Sequence, residues 1–578
     1  MKKKYLALLL AIAICVAMFA GCGSTAASSD DNAGSAAETT ANAETVDSAE
    51  EAAPAEETAP VEEAASSEEA VPADEAPAEE PAVTIEYPIA SGDEITLWYE
   101  GDDNESTNNA WLAGEEATGV HVSISYASRE SADEQFSLLV ASGDYTDIMD
   151  NVTDRYPGGG EAAISDEVII DLGDYLDTCL PDYKACLTAD EDVAKDLVTD
   201  GGNYAAVYQI YDEVRLPDSG PVIRQDWLDA QGLDKPVTYD EYEEVLLALK
   251  NAYDLSSPIL MLADGVPENN YLVAGYGIAG KTEEAGQSYM PFYQVDGEVH
   301  YGVLEQGFKD YLTMLNRWYD EGLFASDFAT LDNSGRDSIQ ASEQCALWYT
   351  GSSACGLGDE AGGMFTSDDP NYHVTAIADA VQNEGDMNHL STIGKYKTNH
   401  SMSISTSASN PELVAEWLNF WYTDYGSQLA NYGVEGEGCT ITDGVPGFSE
   451  LITNNPDGDN YRDCLSYYTV TCVAYYSHVN RDMVTYNSDV IEAGDIWTSN
   501  RDNAYNYPDM ALLSVEESEE FSSLYADIQT VVSENIPEFI MGVRSFDEWD
   551  DFMSTLESLN IGRCIELKQA ALDRYYER

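Results

Sequence analysis

Gly275-Tyr276-Gly277-Ile278-Ala279-Gly280 spells GxGxxG, the glycine pattern that cradles a pyrophosphate when a strand precedes it and a helix follows. No such strand-then-helix context surrounds it, so dinucleotide chemistry is not expected. Asn455, Asp457 and Asp459 alternate like the opening of a calcium loop, but Asn460 stands where the turn needs Gly and Ser466 where a bidentate Glu belongs. The six histidines form no HExxH, and no GxSxG elbow occurs. Two carboxylates would suffice for a surface glycoside hydrolase. With 108 Asp and Glu in the chain, however, such a pair can always be nominated and argues little. No catalytic residue, metal or cofactor is therefore assigned, and binding is the expected activity rather than catalysis. A surface adhesin or scaffold, using a broad exposed contact, is the third reading.

The 578 residues leave room for only a few domains. Acids outnumber Lys and Arg 108 to 25, for a formal charge of −83. That excess argues against nucleic acid, whose binders neutralise phosphates with Lys and Arg, and similarly against polyanionic glycans as the main ligand. Tyr (38) and Trp (9) outnumber Phe (13), a bias towards rings with a polar edge. Lys2, Lys3 and Lys4 open the chain, and an apolar run from Tyr5 to Phe19 follows, too short to span a bilayer as a helix but suited to a secretory signal. It ends in Phe19-Ala20-Gly21-Cys22, which resembles the lipobox of bacterial lipoproteins, with Phe19 in place of the usual Leu. The resemblance implies a leader over 1–22 and a lipid on Cys22, the only membrane attachment expected. Residues 23–90 are Ala, Glu, Ser, Thr and Pro; too little apolar surface and too much like charge predict a disordered, extended tether. Export permits disulfides among the eight further cysteines, although a core of this size needs no staples.

From Ser91 the patterning becomes globular. Ile95-Thr96-Leu97-Trp98-Tyr99 alternates like a strand, and Val120, Val122 and Ile124 alternate again after Gly119, predicting a β-α-β opening. Thr238 and Glu241 make a capping box ahead of Tyr242, Val245, Leu246 and Leu249 at helical spacing. Phe308, Tyr311, Leu312, Leu315 and Tyr319 form a second stripe, stopped by Gly322. Pro411 starts a helix carrying Val414, Trp417, Leu418 and Trp421 on one face. Ser545 and Glu548 read as a box before Trp549, Phe552, Met553 and Leu556. On these stripes Trp417, Trp421 and Trp549 are core. Helices alternating with short strands predict an α/β fold, in two lobes for a segment this long.

Five segments then carry a family resemblance: Ala141-Ser142-Gly143-Asp144-Tyr145-Thr146-Asp147-Ile148, Val222-Ile223-Arg224-Gln225-Asp226-Trp227-Leu228-Asp229, Trp318-Tyr319-Asp320-Glu321-Gly322-Leu323, Asn431-Tyr432-Gly433-Val434-Glu435-Gly436, and the tail from Glu538-Phe539-Ile540-Met541-Gly542 to Tyr575. In this order they resemble bacterial extracellular solute-binding proteins of the maltodextrin-binding type, in the large lipoprotein branch that serves sugar ABC importers. The resemblance implies a two-lobe, periplasmic-binding-protein-like fold with a hinge and an inter-lobe cleft. Lobe 1 would hold 91–210 and return over 375–440; lobe 2 would hold 211–374 and most of 441–578 with the C-terminal helices. It also implies a monomer that closes on its ligand and then docks on a membrane permease.

Sugars offer apolar ring faces to aromatic side chains and hydroxyls to carboxylates, amides and Arg. The family's cleft positions fall here on Trp98 and Glu100 at the end of the first strand. They also fall on a loop with Asn151, Asp154 and Arg155, where Asp154-Arg155 match the family's Asp-Arg pair and Asn151 replaces an aromatic. Trp348 and Tyr349 lie near the second-lobe platform, although Ser353 falls at its aromatic position. Trp497, with Tyr505 and Tyr507 nearby, belongs to a third crossover, and Tyr432 and Glu435 to the NYGxEG motif. Trp98 and Trp348, at strand ends, read equally well as core; Trp227 and Trp318 read as packing. The expected ligand is a neutral oligosaccharide, or failing that another small solute or peptide, captured at the outer face of the cytoplasmic membrane and passed to an ABC permease.

Overall fold

The computed structural model describes residues 83–101, 108–129, 131–215, 217, 219–261, 271–281, 292–351, 371–391, 394–459, 461–479, 481 and 488–578. Cys22, Ser353 and the acidic stretch up to residue 82 lie outside them. The chain divides into two units, Met1–Glu79 and Glu80–Arg578, and the second is the folded body.

Its first sheet grows from the β-α-β opening. Strand β1 (Asp93–Glu100) buries Ile95, Leu97, Trp98 and Tyr99 and pairs in parallel with β2 (Val120–Ala127). The helix between them, Asn109–Thr118, is capped by the Asn108 side chain accepting the Trp111 N–H at 2.8 Å. Gly119 ends it at φ +74°, and any side chain there would collide with the Ala90 carbonyl. The same turn shows the fold starting upstream of Ser91: Ile89 and Ala90 both donate their N–H to Thr118 O, and the Tyr87 hydroxyl reaches Glu416 O at 3.0 Å. On the other side of β1 come β3 (Ile148–Asp150), then the strand Tyr396–Ile404, then β4 (Val207–Tyr211), and the short Tyr476–Ser477 strand at the edge. Tyr396–Ile404 runs antiparallel to both its neighbours, making the sheet mixed.

A second, three-stranded antiparallel sheet has β5 (Ser219–Arg224) between Leu347–Gly351 and Val374–Ala376. Tyr239–Tyr253 has the Thr238–Glu241 capping box, and Gln306–Asp320 buries the aromatic stripe read from its period. The 26-residue helix Val515–Ile540 packs on Gln306–Asp320 and on Ile561–Tyr576. The mixed α/β fold is therefore as the patterning and the resemblance led one to expect.

Trp111, Trp417 and Trp421 form one buried ring cluster, with Trp111 and Trp421 stacked at 6.0 Å between centroids. Trp227 stacks on Tyr253 at 4.3 Å, and the fully buried Trp318 donates its indole N–H to Glu243 at 2.6 Å. One cap differs from expectation. Ser545 accepts the Asp547 N–H at 3.1 Å and starts a 3₁₀ turn, Phe546–Glu548, so the α-helix begins at Trp549. The tighter turn moves Glu548 out of the third helical position, where a box partner must stand. Among the described residues no disulfide forms, and Cys179, Cys186, Cys345, Cys439, Cys464 and Cys564 are free thiols. Burial pushes the Cys186 and Cys345 thiols up to about 12, far from a reactive thiolate.

Candidate functional site

Strands β1 and β3 are parallel neighbours and end together, at Glu100 and Asp150. The chain leaving β2 adds Arg129 beside them. Parallel strands leave a crevice at their carboxyl ends, because the following loops and helices diverge there. The antiparallel strand Tyr396–Ile404 enters from this same end: Met402 pairs with Asp150, so the residues before it project past β3. Its pairing with β4 slips between Lys397 and Ser401, a bulge that holds Thr398, Asn399 and His400 out of the ladder. Lys397, Asn399 and His400 thereby reach the rim of a cavity of about 910 Å³, closed on its far side by Leu465, Ser466, Thr471 and Arg481. The His400 ring is held by Val473 O at 2.8 Å.

Asp150 lines this cavity and is essentially fully buried. Its Oδ2 accepts the Glu100 N–H at 3.3 Å and the Asn151 side-chain amide at 3.4 Å, while Oδ1, also buried, has no partner among the described residues. Loss of water disfavours the anion, and burial pushes the carboxyl up to about 8 against the opposing pull of the Glu100 N–H and of Arg155. At neutral pH the group is thus an uncharged acid able to donate a hydrogen bond into the cavity. Asn151 adopts φ +52°, a conformation Asn tolerates better than most residues. Its N–H donates to Ser401 O at 2.9 Å and its side-chain oxygen accepts the Ser401 N–H at 3.2 Å. It is the joint that fixes the bulged strand against β3, which is why no aromatic ring stands there. Arg155, mostly buried, bridges Glu100 and Asp133, leaving its Nε–H buried without an acceptor among the described residues. Asp154 is exposed on the same wall.

The structure thus brings together Glu100, Asn151, Asp154 and Arg155 and leaves the other nominated residues elsewhere. Trp98 points to the opposite face of β1 from the main core and fills a small cluster with Phe136, Met149 and Val152. Trp348 and Trp497 share another small core with Val222, Cys345 and Val374. The Trp497 indole donates to Pro221 O at 3.1 Å and lies flat on Gly220. All three tryptophans are core because each sits on a strand or helix face that a neighbouring element covers. Tyr349 is half-buried with its hydroxyl 3.4 Å from Ser219 O; Tyr505 stacks on His389 at 3.7 Å; Tyr507 is buried and bonds to Lys568 O at 2.8 Å. Tyr432 is buried against Phe448 and His478, and Glu435 is exposed on the turn beyond. Sequence reasoning passed over Arg129, Asp133, Asp150, Lys397 and Arg481. Asp150 had a signal: an acid closing a three-residue strand otherwise made of Ile and Met.

The Gly220 contact makes a test of the second small core. Any Cβ at Gly220 would enter the Trp497 ring. Gly220→Ala is expected to destabilise the protein by about 1–3 kcal/mol, the usual cost of overpacking, read by urea unfolding; an unchanged midpoint would remove Trp497 from that core.

No family model matches the sequence. The chain is 26% identical over 355 residues to lipoprotein LipO of Bacillus subtilis (strain 168), a match covering 59% of this chain and 65% of that protein, a little under two thirds. It is 21% identical over 493 residues to the fructooligosaccharide ABC transporter substrate-binding protein FusA of Streptococcus pneumoniae serotype 4, covering 80% of this chain and 86% of FusA. In structure it is similar to an HMO-binding, ABC-transporter-associated solute-binding protein from Bifidobacterium longum infantis, with a TM-score of 0.69 at 18% identity, over 84% of this chain and 99% of that one.

Proposed function

We propose that this chain, whose fold and relatives are those of the extracellular solute-binding proteins of sugar ABC importers, captures an oligosaccharide in the cavity at the ends of β1 and β3. The observation that carries the reading is the cavity itself: about 910 Å³ at the carboxyl end of a parallel β1–β3 pair, lined by carboxyls, amides and guanidinium groups. Such groups bind hydroxyls and need no chemical step. The protein would work by closing its two lobes on the sugar, with contacts in the closed form exceeding those in the open one. Residues 91–210 and 375–440 would move against 211–374 and most of 441–578, and the closed form, a monomer, would dock on an ABC permease. Lipid on Cys22 would hold it at the outer face of the membrane; among the described residues no helix is long and apolar enough to cross one. Calorimetric titration of the full chain against neutral and acidic oligosaccharides tests this. Saturable one-to-one binding with the sugar recovered unchanged is expected, together with a smaller radius of gyration in solution scattering. Sustained release of shorter sugars would overturn the reading in favour of a hydrolase.

A further inference from the structure

The first cavity is furnished for hydroxyls but not for the apolar face that a sugar ring also carries. Its lining is mostly carboxyls, amides, guanidinium groups and an ammonium, and its one phenol ring, Tyr99, is buried in the main core. Hydrogen bonds to hydroxyls replace bonds to water and gain little net free energy. An aromatic side chain laid on an apolar face removes that face from water at no such cost.

A second cavity, of about 510 Å³, adjoins the first and shares Asp154 and Arg155 with it. Tyr156, Pro157, Leu512 and Leu513 give it apolar surface. Asp154 and Asp509 line it together with Arg155 and Lys568, two acids to two bases, a balance that suits an uncharged unit. Of its two phenol rings, Tyr507 is buried, with its hydroxyl on Lys568 O at 2.8 Å. Tyr156 is half-buried, and among the described residues no second ring or cation is stacked on it.

Tyr156 is also held at both ends. It follows the short helix Val152–Arg155, its N–H donates to Val152 O at 2.9 Å, and its carbonyl accepts the Gly159 N–H at 2.8 Å. Its hydroxyl donates to Asp166 Oδ2 at 2.7 Å. The turn beyond it is pressed onto the chain entering the Val515–Ile540 helix, since a Cβ on Gly158 or Gly159 would come within 2.6 Å of Val515 or Leu512. The ring packs on the small Trp98 cluster and lines the cavity, so it stands between the two.

We propose that Tyr156 is a stacking platform for one ring of the bound oligosaccharide. The sugar chain would lie across the Asp154–Arg155 wall, with hydroxyls held in the first cavity and a further unit seated on Tyr156 in the second. This rests on the reading of the protein as an oligosaccharide binder and adds a minimum length to its ligand. At about 910 Å³ the first cavity has room for a whole small ligand, so a disaccharide can end inside it and only longer chains reach the ring. A ring already fixed at both ends loses little freedom when a sugar settles on it.

Calorimetry of the full chain tests the platform, with dimers to hexamers of β-1,4-linked glucose, α-1,4-linked glucose, β-1,4-linked mannose and α-1,4-linked galacturonate. The same series is run on Tyr156→Phe, Tyr156→Leu and Tyr156→Ala. For the sugar that binds, wild-type affinity is expected to rise about tenfold between the dimer and the length that reaches Tyr156. Tyr156→Phe keeps the flat face and should keep that rise. Tyr156→Leu and Tyr156→Ala should abolish it, so that the longer chain binds no tighter than the dimer. A ring that served only the fold would weaken dimer and longer chain alike, and that result overturns the proposal, as does affinity indifferent to all three substitutions. A wild-type affinity that stops rising at the dimer overturns it too, and needs no variant to fold. Each of these leaves oligosaccharide capture standing. Silence to every sugar overturns capture and platform together.

Discussion

Asp379→Ala is expected to cost about 3–5 kcal/mol of unfolding free energy, the penalty for leaving one member of a buried ion pair alone. The Asp379 and Arg501 side chains are both fully buried. Arg501 Nε and Nη2 donate to the two carboxylate oxygens at 2.7 and 3.2 Å, and Nη1 donates to Ser219 O at 3.1 Å. The Asn500 amide adds a bond to Asp379 O at 2.8 Å. These residues stand where the chain enters β5, where it leaves the Val374–Ala376 strand, and just beyond the Ser488–Thr498 helix that packs on both strands. One guanidinium therefore ties three stretches at the border of the second sheet, and without Asp379 its charge would have no counter-ion in a space closed to water. Urea unfolding reads the effect. The double variant Asp379→Leu/Arg501→Met should recover most of the loss, because replacing the whole pair by apolar groups removes the stranded charge. A single variant that costs under about 1 kcal/mol, below what any buried ion pair loses on breaking, would mean that water reaches Arg501.

What the sequence made legible follows the range of the interactions concerned. The capping box at Thr238 and the stripes on Gln306–Asp320 and Pro411–Phe420 depend on neighbours three and four residues away, so their period is visible in the residues themselves. Glu100 and Arg155 were legible because a strand end and the loop after β3 keep recognisable local patterns. The tryptophans were not. A ring at a strand end has the same sequence neighbours whether it faces a cleft or a covering helix, and Trp98 meets Phe136 only because Ala132–Ser142 folds back over that face. Lys397 and His400 were harder still. They reach the cavity through a slip in pairing with β4, a strand distant in sequence, and no local pattern encodes a slip.

Asp150→Asn is expected to stabilise the protein at neutral and alkaline pH and to flatten part of its pH dependence. The folded carboxyl is pushed up to about 8 from its ordinary 3.8, so in between the folded state holds a proton that the unfolded chain has released. With more protons bound in the folded state, stability falls as pH rises. The cost is absent below pH 4, accumulates from there to about 8 and is constant above. A shift of this size corresponds to a loss on the order of 5–6 kcal/mol across that window. Asparagine keeps an oxygen to accept the Glu100 N–H and the Asn151 amide, and it puts an uncharged N–H₂ where Oδ1 now lies without a partner. The nearby Glu100, Asp154 and Arg155 are common to both proteins, so their effect is removed by taking the difference between variant and wild type. That difference, from thermal melts at pH 4, 6, 8 and 9, should grow with pH and level off above 8. A difference that is constant with pH, or that favours the wild type as pH rises, would show Asp150 ionised in the folded protein; the floor of the cavity would then be an anion rather than a donor.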